Sequence, residues 1–121
     1  MILGVGVDAV EISRVQRSCE KGHFQSHIFT EAEIAQFDKR KVRAASDFAG
    51  KEAVVKVFGT GFSGCFPRDI EILRNDKGAP YVNLYRGAKE IAEGLGITSI
   101  QISITNTSDL AVAFAVGIGD R

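Results

Sequence analysis

The sequence lacks several features that would assign it to a common functional class. Its 15 Lys and Arg residues are balanced by 15 Asp and Glu residues, so no net charge favours nucleic acid or an anionic membrane. No apolar run approaches the roughly 18 residues of a membrane span, and the first residues carry no basic start typical of a signal peptide. We therefore expect a soluble, cytoplasmic protein without a nucleic-acid or membrane partner.

Cysteine is also scarce. Cys19 and Cys65 are far apart and show neither CxxC nor Cys/His spacing, which argues against a zinc knuckle and a disulfide scaffold. Reduced thiols are the expected state. At 121 residues the chain has the length of one domain, and at this size oligomerisation would add useful burial.

The hydrophobic pattern predicts one short strand followed by helices. The apolar run 2–7 is typical of a buried strand that stops at Asp8, and its two glycines indicate close approach of another backbone. A loop with His23 and His27 separates the first two helices. The predicted helices are Asp8 to Gly22, a short one opened by the capping box 30–33, one over about 44–58 that ends at Gly59, and 87–95.

The remaining segments predict antiparallel strands. Strands 70–73 and 81–84 form a hairpin around the turn 75–78, and strands 99–105 and 110–118 flank the polar loop 106–109. The last strand is apolar at every position, which is typical of a strand with both faces buried. A second copy of the chain or an internal helix layer would each explain this, and we favour the oligomer. The fold class is a single α+β domain.

Two carboxylates are candidates for chemistry. Asp8 follows an apolar strand and can serve a hard cation, although Asp8 to Glu11 is also a capping box. Glu52 and Lys56 lie four residues apart on the long helix, where a surface ion pair is the ordinary interpretation. The apolar residues around them favour a second interpretation, in which these charges need a ligand or partner.

Three further motifs have weaker functional meaning. Gly59-Thr60-Gly61 follows a helix, so a helix C-cap is its ordinary interpretation. A phosphate-binding loop would have its glycines at the start of a helix. The spacing of His23 and His27 offers no third metal ligand. A basic stripe on the first helix and a second cluster over 39–43 are solvated faces or a docking surface for an acidic protein. The stripe consists of Arg14, Arg17 and Lys21.

In combination, these motifs resemble the holo-acyl-carrier-protein synthases, which are phosphopantetheinyl transferases. The resemblance runs from Met1 to the last strand. It rests on Gly4–Asp8, Phe29–Glu33, Phe48–Ala53 with Lys56 and Gly59–Gly61, Ile70–Ile72, and Gly78–Pro80.

The resemblance implies a homotrimer with active sites between subunits, over one domain spanning 1–121. It implies transfer of 4′-phosphopantetheine from coenzyme A to a serine of acyl carrier protein, with release of adenosine 3′,5′-bisphosphate. Asp8 and Glu52 would hold Mg²⁺, Glu52 and Lys56 would be catalytic, and the basic stripe would dock the acidic carrier. Coenzyme A contacts would come from Lys56, Gly59, Thr60, Gly61, Pro80, Asn106 and Arg43.

Two positions depart from the family pattern. Asn106 stands where the family commonly has His, so it keeps a hydrogen bond but no titratable group. Asp47 stands where the family often has a basic residue, which shifts expected phosphate contacts to Arg43 or Arg40. The sequence leaves open whether Glu52 or a metal-bound water takes the serine proton. It also leaves a rival open, a non-catalytic trimeric module that binds a nucleotide or an acidic protein.

Overall fold

The computed structural model describes residues 1–37 and 40–120. Helices and strands follow one another in an α+β order, with a 3₁₀ turn at Pro67–Asp69. The strands are β1 (Ile2–Glu11), β2 (Ile70–Arg74), β3 (Pro80–Leu84), β4 (Ile97–Asn106) and β5 (Leu110–Gly119). The helices are α1 (Ile12–Cys19), α2 (Phe24–Ile28), α3 (Glu31–Phe37), α4 (Val42–Phe58) and α5 (Arg86–Leu95).

An antiparallel sheet with the order β1-β5-β4 forms the centre of the fold, and β2 and β3 form a separate hairpin. The helix α4 packs on β1 and β5. The residues of β5 that face the helix are alanines, and their small side chains let the helix pack closely on the strand. All three are fully buried. They are Ala111, Ala113 and Ala115. The α+β class and the antiparallel sheet predicted from the sequence are confirmed.

Glycines in β1 bring its backbone against α4. A Cβ atom on Gly6 would lie 2.0 Å from the carbonyl oxygen of Ala53, and one on Gly4 would lie 2.6 Å from that of Val57. Both distances are far below van der Waals contact, so any larger residue would force the strand and helix apart. The close backbone approach predicted from these two glycines is confirmed.

The boundary between β1 and α1 was wrong in the sequence prediction. The strand continues past Asp8 to Glu11, because β5 is long enough to pair with it as far as Leu110. Helix α1 starts at Ile12 and Glu11 makes no side-chain cap, so the capping box from Asp8 to Glu11 does not exist. The helix also ends at Cys19, before Gly22.

The start of α3 and the end of α4 agree with the sequence prediction. In the capping box of α3, Thr30 Oγ1 accepts a hydrogen bond from the Glu33 amide, and Glu33 Oε1 accepts one from the Thr30 amide. Gly59 ends α4 in the left-handed region with φ 76°. The segment between His23 and His27 was predicted as a loop, but it forms α2 with His23 as its N-cap.

A buried ion pair that the sequence analysis did not identify joins three elements. The ammonium of Lys51 lies 2.8 Å from Glu33 Oε1, and both side chains are fully buried. Lys51 also donates to the carbonyl oxygens of Pro67 and Ile70, while Glu33 Oε2 accepts from the Ile72 amide. The pair therefore fixes α3 and α4 against the start of β2.

The two faces of β5 differ in the single chain. One face is buried under α4, whereas Phe114 on the other face is 45% exposed. On the paired strand β1, the neighbouring residues Val7 and Val5 are also exposed, at 54% and 56%. An internal helix layer was one of the two explanations for the apolar last strand. Within the described residues, no such layer covers this second face. We call this surface of Val5, Val7, Val112, Phe114 and Val116 the outer sheet face.

Two smaller findings concern the whole fold. Cys19 and Cys65 are free thiols, in agreement with the sequence prediction. No helix within residues 1–37 and 40–120 is both long and apolar enough to cross a membrane.

Candidate active site

Asp8 is placed against α4 by the glycine contacts of β1. It lies inside the strand opposite Ala113, and not at a strand end as the sequence suggested. Its Oδ1 is 3.2 Å from Lys56 Nζ, which also donates to the carbonyl oxygen of Val7 at 3.0 Å. The Asp8 side chain is 18% exposed and that of Lys56 is 55% exposed, so the pair lies at an accessible edge.

Glu52 lies one helical turn before Lys56 and completes a charged cluster with Asp8. Burial raises the pKa of Glu52, the negative charge of Asp8 raises it further, and Lys56 opposes both effects. Lys56 forms its salt bridge with Asp8, so the helical ion pair with Glu52 considered above is not the contact found. Two neighbouring carboxylates thus lie beside a single ammonium that pairs with one of them, and this arrangement favours an additional cation.

The donor set of this cluster fits Mg²⁺. This ion is typically held by one or two carboxylates, with water and substrate phosphates as the other ligands. Asp8 is close enough to Glu52 for its charge to raise the pKa of Glu52, so the two carboxylates meet that requirement. In the part of the chain that the structure describes, no group of three or more His, Cys, Asp or Glu forms a fuller protein cage.

The glycine segment after α4 continues from the charged cluster. Gly59 and Gly61 both have positive φ, at 76° and 60°. Thr60 is exposed, and its hydroxyl donates to the Gly61 carbonyl oxygen at 3.1 Å. The C-cap role of Gly59 is confirmed, and phosphate binding by this segment stays a prediction.

A second cluster lies at the other end of α4, and we call it the arginine pocket. It is a cavity of about 200 Å³ between α4, the β2–β3 hairpin and β4. The pocket brings together three residues that the sequence analysis proposed as coenzyme A contacts, Arg43, Pro80 and Asn106. Arg40, Val42, Ser46, Arg74, Gly78 and Ile104 complete its lining.

Two contacts in the arginine pocket were missed in the sequence. The guanidinium of Arg74 forms a salt bridge with the buried Asp47, and Asn106 Oδ1 lies 3.1 Å from Ser46 Oγ. Burial raises the pKa of Asp47 to about 7, against the effect of Arg74. Neither contact has a sequence signal, because their partners are 27 and 60 residues apart.

The charged cluster and the arginine pocket lie on opposite sides of α4. Glu52 follows Arg43 by nine residues, which is about 2.5 helical turns and turns the two side chains in opposite directions. The sheet repeats this separation, because Asp8 is on β1, Asn106 is on β4, and β5 runs between them. One chain thus presents two clusters that face away from each other.

The remaining sequence candidates are placed as follows. Arg14 and Arg17 are exposed on α1, but Lys21 lies beyond the end of that helix, so the predicted stripe of three is shortened to two helical residues. Lys39 of the second basic cluster falls outside the described residues. His23 and His27 belong to no group of three metal-binding side chains among the residues described.

The sequence of the chain matches a known superfamily. Residues 4–115 match the family model of the 4′-phosphopantetheinyl transferase superfamily. Among curated relatives, holo-acyl-carrier-protein synthase of Lachnoclostridium phytofermentans is 49% identical over 119 residues, covering 97% of this chain and 96% of the relative. The corresponding protein of Clostridium acetobutylicum is 43% identical, covering 96% and 97%.

Solved structures agree with the sequence relatives. The holo-acyl-carrier-protein synthase of Plasmodium yoelii superposes with a TM-score of 0.87 at 30% identity and covers 100% of this chain and 98% of its own. That of Helicobacter pylori in complex with coenzyme A gives 0.84 at 28% identity, covering 94% and 99%. The chain belongs to the holo-acyl-carrier-protein synthases of this superfamily, so it is a phosphopantetheinyl transferase.

Proposed function

We propose that this enzyme transfers 4′-phosphopantetheine from coenzyme A to a serine of apo acyl carrier protein, releases adenosine 3′,5′-bisphosphate and requires Mg²⁺. The observation that carries the metal requirement is the Asp8, Glu52 and Lys56 cluster beside an accessible edge. Coenzyme A as substrate is supported by the complex of the Helicobacter pylori relative. We also propose that residues 1–121 act as one transferase domain in the cytoplasm.

The cluster suits attack of a hydroxyl on a phosphorus atom. Such transfers depend on in-line positioning and on neutralising charge around the phosphoryl oxygens. Mg²⁺ would supply this neutralisation at the pyrophosphate and orient its oxygens. Lys56 contributes a further positive charge. Glu52 is a suitable acceptor for the serine proton, because its raised pKa brings it closer to the working pH.

We propose that each active site is built from two copies of the chain in a homotrimer. The charged cluster and the arginine pocket face away from each other across α4, so one coenzyme A molecule would reach both only if neighbouring copies supplied them. The outer sheet face offers an apolar contact surface, since Val5, Val7 and Phe114 are about half exposed in one chain.

Complementation tests the shared site. A Glu52→Ala copy keeps the arginine pocket, and an Arg43→Ala copy keeps the charged cluster. Mixing and reassembling the two inactive variants should restore activity, because some junctions then combine two intact halves. Activity that stays absent in verified mixed trimers would contradict a site shared between copies.

We propose that the acidic carrier protein docks on α1. Arg14 and Arg17 are exposed there and lie three residues apart, on one side of the helix. Charges of this kind chiefly raise the association rate and set the orientation of a partner.

The transfer itself is tested by intact-mass measurement of an apo carrier protein after incubation with the enzyme, coenzyme A and Mg²⁺. A mass gain of one phosphopantetheine is expected with the parent enzyme and none with Glu52→Ala. No gain with any carrier of a broad panel would sink the proposal. Breakdown of coenzyme A without a carrier would indicate a pyrophosphate hydrolase instead.

A second candidate function is a non-catalytic trimeric module that binds a nucleotide or an acidic protein. Asn106 favours it, because an amide replaces the titratable group common at this position. Glu52→Ala separates the transferase from the binding module. A binding module would keep its partner after this substitution, and neither the variant nor the parent protein would show turnover.

A further inference from the structure

Asp47 is a buried carboxylate with one oxygen atom that lacks a hydrogen-bond donor. The residue is closed to solvent in the middle of the chain's longest helix. Its Oδ1 accepts from the guanidinium of Arg74, whereas its Oδ2 has no donor among the described residues. A carboxylate removed from water depends on hydrogen bonds to both oxygens, so the charged form of Asp47 is stabilised at only one of them.

The charged groups around Asp47 come from three elements. Burial is the largest effect and raises the pKa of Asp47 to about 7. Arg74 on β2 and Lys51 on α4 act in the opposite direction, whereas Glu33 on α3 raises this pKa further. Arg43 lies one helical turn before Asp47, whose charge opposes the burial that lowers the pKa of Arg43. Near neutral pH, Asp47 is therefore present in both its protonated and its ionised form.

Asp47 lies directly behind the wall of the arginine pocket. Its partner Arg74 and its sequence neighbour Ser46 both line the cavity. The guanidinium of Arg74 therefore lies between the buried carboxylate and the space inside the pocket. An ionised Asp47 cancels part of the positive charge that this wall presents, and a protonated Asp47 does not. The proton on Asp47 thus sets how strongly the pocket attracts an anion.

Coenzyme A is an anion, and the sequence prediction assigned contacts with it to Arg43, Pro80 and Asn106 of this pocket. Negative charge bound in the pocket and an ionised Asp47 repel one another, so each favours the absence of the other. We propose that coenzyme A binding is coupled to uptake of a proton from solvent by Asp47 Oδ2, so that the affinity for coenzyme A falls as the pH rises through neutrality. The inference rests on the proposed transferase function.

Calorimetry measures this proton uptake directly. Coenzyme A is titrated into the enzyme with Mg²⁺ and without carrier protein at pH 7, in two buffers of different ionisation enthalpy. The buffer dependence of the heat gives the number of protons taken up. If coenzyme A prefers the protonated form about tenfold, linkage predicts that the parent takes up about 0.4 proton more than Asp47→Asn. The difference between the two proteins cancels the protons that coenzyme A itself exchanges.

The same linkage predicts how the KM for coenzyme A depends on pH. Asp47→Asn has a neutral side chain of the same size at every pH, so it represents the protonated parent. For the same preference of about tenfold, the ratio of the parent KM to the variant KM should be about one at pH 6 and about eight at pH 8.5. The pH dependence of kcat should be the same in both proteins, because the reacting groups lie on the other side of α4.

Two controls separate proton uptake from a structural effect. Asp69 is also buried and pairs with Arg86, but its second oxygen accepts from the Phe66 amide at 3.0 Å and it does not line the pocket. Asp69→Asn should therefore take up as many protons as the parent. In the parent itself, ¹³C NMR of the aspartate carboxyl groups should show one signal that titrates near pH 7. The midpoint of this titration should move to higher pH when coenzyme A is bound.

Equal proton uptake by the parent and Asp47→Asn, or a KM ratio that does not change with pH, would overturn the inference while leaving the transferase intact. An NMR midpoint that coenzyme A does not move would overturn it even if the variant does not fold. Absence of coenzyme A binding by the parent would instead refute the proposed function.

Discussion

Replacement of Gly6 by Ala tests how the fold places Asp8 beside α4. The added Cβ atom would lie 2.0 Å from the Ala53 carbonyl oxygen and 2.9 Å from Lys56 Cβ. Ordinary contact begins at 3.4 Å, so β1 and α4 must separate locally by about 1.4 Å. The nearest obstacle is backbone on both elements, so neither can yield by a side-chain rotation.

The expected effect of Gly6→Ala is large on both stability and rate. Overpacking of a core commonly costs about 1–3 kcal/mol, and a backbone clash belongs at the upper end. A displacement near 1 Å at a catalytic group can lower the rate about 100-fold. We therefore expect kcat/KM for carrier modification to fall about 100-fold at a temperature where the variant is still folded.

Two glycine variants calibrate this result. Gly4→Ala requires a smaller shift, because its Cβ would lie 2.6 Å from the nearest atom, and its loss should be intermediate. A Cβ on Gly94 in α5 meets nothing within 4 Å, so Gly94→Ala should leave activity unchanged and add up to about 1 kcal/mol of helix stability.

Urea unfolding gives the free energies, and intact-mass kinetics give the rates. Equal stability and activity for Gly6→Ala and the parent would refute the close packing of β1 on α4. Lost stability with full activity in the folded variant would show that this contact does not place Asp8.

Three other perturbations follow from the structure. Lys51→Met leaves Glu33 as a buried charge without its ammonium and should lower the unfolding free energy by about 3–5 kcal/mol, measured in urea; an unchanged midpoint would contradict the buried pair. Since burial raises the pKa of Asp47 from 3.8 to about 7, folding favours its protonated form, and the resulting stability is lost as pH rises through about 7. The stability of Asp47→Asn relative to the parent should therefore increase from pH 4 to pH 8, and a constant difference would refute the shift. Replacing Arg14 and Arg17 by Glu should raise the KM for the carrier about tenfold with little effect on kcat. Replacing Lys89 on α5 by Glu should leave this KM unchanged. An unchanged KM in the variant of Arg14 and Arg17 would exclude docking on α1.

Local patterns were sufficient to predict much of the fold. The capping box at Thr30, the C-cap at Gly59 and the turn before Pro80 each depend on residues close in sequence, and the structure has all three. The boundary at Asp8 failed because strand length is decided by the partner. Pairing of Glu11 with Leu110 extends β1, and no residue near Asp8 reports that pairing.

The candidate site was predictable to a smaller extent. Asp8, Glu52 and Lys56 could be proposed together only through the family resemblance, and the structure then placed them in one cluster. The salt bridge of Arg74 with Asp47 depends on the hairpin folding back over α4. A contact of that kind leaves no spacing in the sequence, so only the structure could reveal it.

The Mg²⁺ dependence of transfer tests the central proposal most directly. Asp8→Asn keeps the size of the side chain but removes one of the two charges that would hold the ion. Measured by intact mass at saturating coenzyme A, the Mg²⁺ concentration for half-maximal transfer should rise at least tenfold, while the variant stays folded. The same Mg²⁺ dependence for Asp8→Asn and the parent, or full transfer in the presence of excess EDTA, would contradict a magnesium site formed by Asp8 and Glu52.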